Sequence, residues 1–149
     1  MSLIGRNGES NRMGDASLHD RALVALDVPL LKFLGAEFVG WSNDRARVLL
    51  DVGPNALNGN DKLHGGVICT LLDVTAYLAL LPTLEPPETA VTHDMNTAFF
   101  SAASLNDEMC FEAQIIHRGK TVAFVESAAR VGNKRIALAT VCKSVLVLR

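Results

Sequence analysis

From Gly66 to Leu81 apolar residues occupy every face of the helix that the composition predicts, and one acid, Asp73, stands in their midst. A helix that is apolar all round is enclosed by protein or by lipid. Elsewhere the period changes. In RARVLLDV, Arg45, Arg47, Leu49 and Asp51 alternate with Ala46, Val48, Leu50 and Val52, the period-two pattern of a half-buried strand. With AEFVGWS before it and SND between, this predicts a hairpin. Residues 17–32 open on a serine suited to capping and place Leu18, Ala22, Leu26 and Leu30 on one face, with Pro29 near the end, so a short amphipathic helix is expected there. GPNALNGND, residues 53–61, reads as a loop, and Pro82 with TLEPPE stops the long helix. Four strand-like segments follow, 89–100, 108–117, 120–131 and 134–148, separated by SAASLND, RG and GN.

Strands joined by short turns make an antiparallel sheet with one apolar face to cover. One all-apolar helix wrapped by that curved sheet covers it, which is the hotdog architecture, an α+β fold. A flexible polar arm over 1–16 and a single domain over 17–149 are expected. Of the 149 residues, 49% are hydrophobic, enough for one core, and the formal net charge is -2. No run of Lys or Arg exceeds two residues, so no nucleic-acid partner is expected. Asp73 and Thr75 interrupt the apolar stretch, which reads as shorter than the roughly 20 residues of a bilayer span, so no membrane is expected either. The N-terminal residues lack the apolar core of a signal peptide, which points to the cytoplasm. Cys69, Cys110 and Cys142 are odd in number and widely spaced, as expected of reduced, buried thiols.

Asp73 is the first candidate for chemistry, because an acid among apolar neighbours either bears a desolvation penalty of several kcal/mol or sits in a cleft that uses it. The bland alternative is that it caps a backbone group or pairs with an arginine. His64-Gly65-Gly66 is the second candidate. It stands where loop becomes helix, so first-turn N–H groups are unpaired and carry the positive end of the helix dipole. Such groups stabilise an oxyanion in acyl transfer, and glycine lets a ligand approach them. On one helix Gly65 and Asp73 lie roughly 12 Å apart, too far to serve one carbonyl. If both act, they come from two subunits of a homodimer whose central helices run antiparallel. HRGKTVAF, residues 117–124, places Arg118 and Lys120 around a turn glycine, which suits a phosphate or a solvated hairpin tip equally. Nucleophile-elbow, Walker, dinucleotide and HExxH patterns are missing, and His19, His64, His93 and His117 lack metal-ligand spacing, so no metal is expected.

Asn58, His64, Gly65, Gly66 and Asp73 in N-x5-H-G-G-x7-D, with DMN at 94–96 and RGKTVAF at 118–124, resemble the hotdog acyl-CoA thioesterases of the phenylacetic-acid-degradation type. The resemblance runs from about Phe33 to the C-terminus. It implies Asp73 as general base or nucleophile, the Gly65 N–H as oxyanion donor, Asn58 orienting the attacking water and His64 supporting the thioester. Thr92 stands where the family usually has serine. Phe99 to Ser104 and His117 to Val122 match coenzyme A contacts; with Gly66 of the HGG motif, Phe99, Ser101, His117, Arg118, Gly119, Lys120 and Thr121 are the implied substrate-binding residues. The resemblance further implies a homotetramer of paired dimers, and no cofactor beyond the CoA thioester that serves as substrate. A non-catalytic acyl-CoA-binding hotdog protein is the alternative. A hydratase of this fold would need a His about five residues after Asp73, where Tyr77 and Leu78 stand. The acyl group is left open, its tunnel depending on residues such as Leu72, Tyr77, Leu81 and Phe100.

Overall fold

A computed structural model describes residues 9–149, with side chains from Ser17 onward. Of the flexible arm expected over 1–16, residues 1–8 lie outside the described residues, and the backbone is helical from Glu9 onward. Helix α1 spans Glu9–Leu26, so it starts ahead of Ser17, which is a helical residue and not a cap. Pro29 does not close this helix but opens a second, α2 (Pro29–Leu34). The reason is local: Val28, the residue before proline, is extended at φ -121 and ψ 148, as the proline ring demands, and a proline at the first helical position forfeits no hydrogen bond. Gly35 ends α2 at φ 77, donating its N–H to the carbonyls of Leu31 and Lys32.

The hairpin follows as β1 (Glu37–Ser42) and β2 (Arg45–Asp51). Asn43 and Asp44 both have positive φ, 51 and 59, the conformation that a two-residue turn between twisted strands requires. Helix α3 spans Gly65–Leu80, and after it come β3 (Glu88–Phe99), β4 (Glu108–Arg118), β5 (Val122–Val131) and β6 (Lys134–Val147). All six strands form one antiparallel sheet in the order β1-β2-β4-β5-β6-β3. The fold is the expected α+β hotdog, a curved sheet around one long helix.

Ala46, Val48, Leu50 and Val52 are buried, as their alternation predicts. Leu71, Leu72, Leu78 and Leu80 of α3 meet a core that includes Met109, Phe111, Val125 and Ile136 from the sheet. The stretch Gly65–Thr83 is long and apolar enough to cross a bilayer by length and composition, contrary to the expectation that it falls short, yet half of it is buried inside the protein. Within one chain α3 is not enclosed on every face. Gly65, Cys69, Asp73 and Tyr77, spaced four apart along one stripe, are only half-buried. Strand β3 lies along this stripe in the opposite direction: Phe99 stands beside Gly65, Thr97 beside Cys69 and Thr92 beside Asp73. β3 is also a sheet edge, with most of its residues exposed. The three cysteines are free and half-buried, less enclosed than the sequence suggested.

Candidate active site

The loop before α3 is built by Asn58. Its side-chain Oδ1 accepts the N–H groups of Asn60 at 2.9 Å and Lys62 at 3.1 Å, so the carbonyl of the amide is committed to the loop and the NH2 is what it can offer outward. The His64 N–H donates to the carbonyl of Ala56, which fixes the chain at the point where the helix begins. His64 is the N-cap of α3, and its Nδ1 accepts the Gly66 N–H at 2.9 Å. An accepting Nδ1 places the ring proton on Nε2.

This capping bond separates the roles of the two glycines. A Cβ on Gly66 would stand 3.0 Å from the His64 Nδ1, so Gly66 makes room for the cap. Gly65 lies ahead of the first i to i-4 bond, and its N–H finds no acceptor among the described residues. Of the two, Gly65 is the one with a donor to give. The Phe99 ring lies against it, at 3.6 Å from where a Cβ would be. The chain beyond Phe99 closes this end of the site, because Leu63 donates to the carbonyl of Ala103 and Lys62 Nζ to Ser104 Oγ. Ser101 sits there half-buried, its N–H on the carbonyl of Ile136.

Two turns along α3, Asp73 has different company. Its carboxylate is 37% exposed and pairs with Lys143, whose side chain is 3% exposed, at 2.8 Å. Thr92 Oγ1 donates to Asp73 Oδ1 at 2.5 Å and accepts from Lys143 Nζ at 2.7 Å. The same ammonium donates to the Asp73 main-chain carbonyl at 3.3 Å. Asp73 Oδ2 has no hydrogen-bond partner among the described residues. Thr92 and Lys143 are direct cross-strand partners, and a bulge immediately after Thr92 shifts the register before Asp94. His93, at that bulge, bonds Ser144 Oγ through Nδ1 at 2.9 Å and takes no part in the Asp73 cluster.

A groove of about 490 Å³ opens over Asp73, Thr92 and Lys143, walled by Val28, Leu30, Val74, Tyr77, Ala90 and Val91. Of the residues expected to set an acyl tunnel, Tyr77 lines it, while Leu72 and Leu81 belong to the core and Phe100 is an exposed residue outside this groove.

The end of β4 holds His117 and Arg118, and the turn to β5 holds Gly119, Lys120 and Thr121. Gly119 donates to the Val122 carbonyl, whose oxygen would lie 2.9 Å from a Cβ, a close approach that glycine permits. Thr121 is tied to β6 through the Val145 N–H. Arg118 is turned inward, donating to Thr83 Oγ1 and to the carbonyls of Gly119 and Lys120, with Glu88 at 3.7 Å. Lys120 is exposed and makes no ion pair among the described residues. The anticipated residues thus fall into three groups in one chain. Asn58, His64, Gly65, Gly66, Phe99 and Ser101 stand at the start of α3, Asp73 and Thr92 at its middle, and the 117–121 turn near its far end. Lys143 was missed from the sequence, although it interrupts Ala139, Val141 and Val145 on the inward side of β6.

Residues 60–137 match the profile of the thioesterase superfamily. The chain belongs to the thioesterase superfamily. Human acyl-coenzyme A thioesterase 13 is 39% identical over 67 residues, which are 45% of this chain and 47% of that protein, so the match spans about half the length of that relative. Among solved structures, the PaaI protein of the phenylacetic acid degradation operon of Escherichia coli superposes with a TM-score of 0.78 at 21% identity, covering 89% of this chain and 95% of that one. A Streptococcus mutans protein bound to acetyl-CoA superposes with a TM-score of 0.69 at 24% identity, covering 76% and 90%. These two likenesses establish the fold that this thioesterase-superfamily chain shares with them.

Proposed function

We propose that the protein hydrolyses acyl-CoA thioesters to the free acid and CoA, in a homodimer whose subunits each supply half of every site. The observation that carries this reading is the separation of Asp73 from the Gly65 N–H on one stripe of α3. An unpartnered carboxylate oxygen and a free helix-start N–H can supply the base or nucleophile and the oxyanion donor of acyl transfer, yet about 12 Å of helix divides them. A two-fold axis beside Cys69, midway between them, brings Gly65 of one subunit to Asp73 of the other. The open edge of β3 along the same stripe is the surface through which two sheets would join.

In the reaction, Asp73 Oδ2 attacks the thioester carbonyl directly or through a water whose proton it takes. The negative charge that grows on the carbonyl oxygen meets the partner's Gly65 N–H, with the Asn58 amide able to hold water nearby. The carbon–sulfur bond breaks, CoA leaves as thiolate and takes up a proton, and hydroxyl from water completes the acid. The apolar groove over Asp73 receives the acyl group, and no metal is called upon. The 99–104 segment of one subunit and the 117–121 turn of the other flank CoA. The Streptococcus mutans likeness supports CoA as the ligand, since that protein is described with acetyl-CoA bound. Two such dimers pair to a tetramer.

The test is thiol release from a panel of aryl- and fatty acyl-CoA esters. Asp73→Asn should lower turnover by about 100-fold or more, the scale of losing a general base. Gly65→Pro removes the N–H without backbone strain, because His64 at φ -62 and ψ 131 already has the conformation that precedes proline and the first helical position tolerates it, and it sets the ring's Cβ in ordinary contact with Phe99 at 3.6 Å. Each variant alone should be nearly inactive. Refolded together they should regain about a quarter of wild-type activity, because half of the dimers are mixed and each mixed dimer has one intact site. No recovery would refute the shared site, and binding of CoA esters without turnover would favour the non-catalytic reading.

A further inference from the structure

We propose that Lys143 is a positioning residue for the thioester chemistry: a buried ammonium that holds the Asp73 carboxylate by one oxygen and leaves the other to react. The inference rests on the proposed activity and adds a residue to it.

An ammonium has three N–H bonds, and Lys143 has three acceptors: Asp73 Oδ1 at 2.8 Å, Thr92 Oγ1 at 2.7 Å and the Asp73 carbonyl at 3.3 Å. Its donors are spent on the protein. With 3% of its side chain exposed and all three hydrogens engaged, it has none to offer a substrate. Thr92 is fixed in the same way. Its oxygen accepts from Lys143, so its own hydrogen points to Asp73 Oδ1. The three groups close a triangle in which every hydrogen is assigned. Oδ1 receives two charge-directed bonds, and Oδ2, with no partner among the described residues, is the oxygen left for the groove.

The carboxylate thus has its rotation about the side chain stopped from one side only. The bond to the Asp73 carbonyl adds a second anchor, tying the middle of α3 to β6 directly beneath the reacting group. A flexible aspartate on a helix samples several rotamers, whereas this one is held in the geometry from which attack starts, and a displacement near 1 Å can cost about 100-fold in rate. Burial of a lysine is costly unless it is paired, which is why the cation sits here and at no other inward position of β6.

The experiment is a double-mutant cycle on the full chain, measuring kcat, KM and melting temperature for Lys143→Met, Asp73→Asn and the double variant. Lys143→Met should lower kcat about 10- to 100-fold with KM within about twofold, and should cost less than about twofold more in the Asp73→Asn background. Lys143→Gln, which keeps two N–H donors, should recover part of kcat and serves as the readout if the methionine variant does not fold. An equal loss in both backgrounds, a rise in KM with kcat unchanged, or wild-type kcat in both Lys143 variants would each overturn the proposal. Absence of turnover in the wild type would instead remove the thioesterase reading, and this inference with it.

Discussion

His64 shows how one side chain settles two neighbours. By accepting the Gly66 N–H it ends that group's availability and leaves the Gly65 N–H as the open donor of the helix start. Gly66→Ala would push a methyl to 3.0 Å from the imidazole and displace the cap. His64→Ala, which removes the cap outright, should cost about 1 kcal/mol, the usual worth of an N-cap, or a fall of roughly 2–4 °C in melting temperature by calorimetry; Gly66→Ala should cost less, because alanine regains up to about 1 kcal/mol of helix propensity over glycine. Cys110 makes a different prediction. Burial, with the Glu112 carboxylate next, pushes its thiol pKa up, more than Arg47 and Arg130 pull it down. The thiol therefore stays protonated in the fold past the pH at which it would ionise in the unfolded chain. Its contribution to stability is full below the ordinary thiol pKa and declines as pH rises from there through the raised value. Alkylation of Cys110, followed by mass spectrometry at pH 7–8, should run slower in the native protein than in urea. Equal rates in the two states would contradict the shift.

At the scale of elements, polarity periods were legible and interruptions were less so. The alternation in β2 and the four later strands appear within a residue or two of their expected bounds. Pro29, expected near the end of one helix over 17–32, is instead the start of a second, because a proline's fixed φ suits a first helical position and its cost falls on the residue before it. The bulge after Thr92 carries no composition signal at all, yet it sets the register that puts Thr92 opposite Lys143. The β1–β2 turn contributes no residue to the groove over Asp73 and gives a stability test. Asp44 holds φ 59 at an αL cost that glycine does not bear. Asp44→Gly should raise the melting temperature by about 1–3 °C, the effect of up to about 1 kcal/mol, with kcat unchanged. A lower melting temperature would show that the Asp44 side chain contributes more than its backbone strain costs.

The whole molecule is where the proposed function succeeds or fails, since one chain holds the two halves of its site apart. If the two-fold axis passes beside the Cys69–Thr97 contact, β3 pairs with its own copy, and residue 96 of one strand faces residue 98 of the other. The double variant Asn96→Lys and Ala98→Lys then sets lysine against lysine twice across the seam. Sedimentation velocity should show monomer, and thiol release should fall with the dimer fraction. An intact, active dimer would mean that the subunits join elsewhere.

Local chemistry along the chain was sufficient to read the class of the fold, the buried helix, the turn residues, and Asp73 with His64-Gly65-Gly66 as the residues worth attention. Those features repeat with the period of a helix or a strand, or stand out against it. What required the tertiary structure was pairing across long sequence separations. Lys143 is 70 residues from Asp73 and Thr92 is 19, and nothing in their own neighbourhoods says that β3 and β6 lie side by side over the middle of α3. The capping of Gly66 by His64 likewise needed the ring's actual position. A periodic pattern states which way a side chain faces, but which partner it meets is decided by the order of strands in the sheet, and that order is a property of the assembled chain.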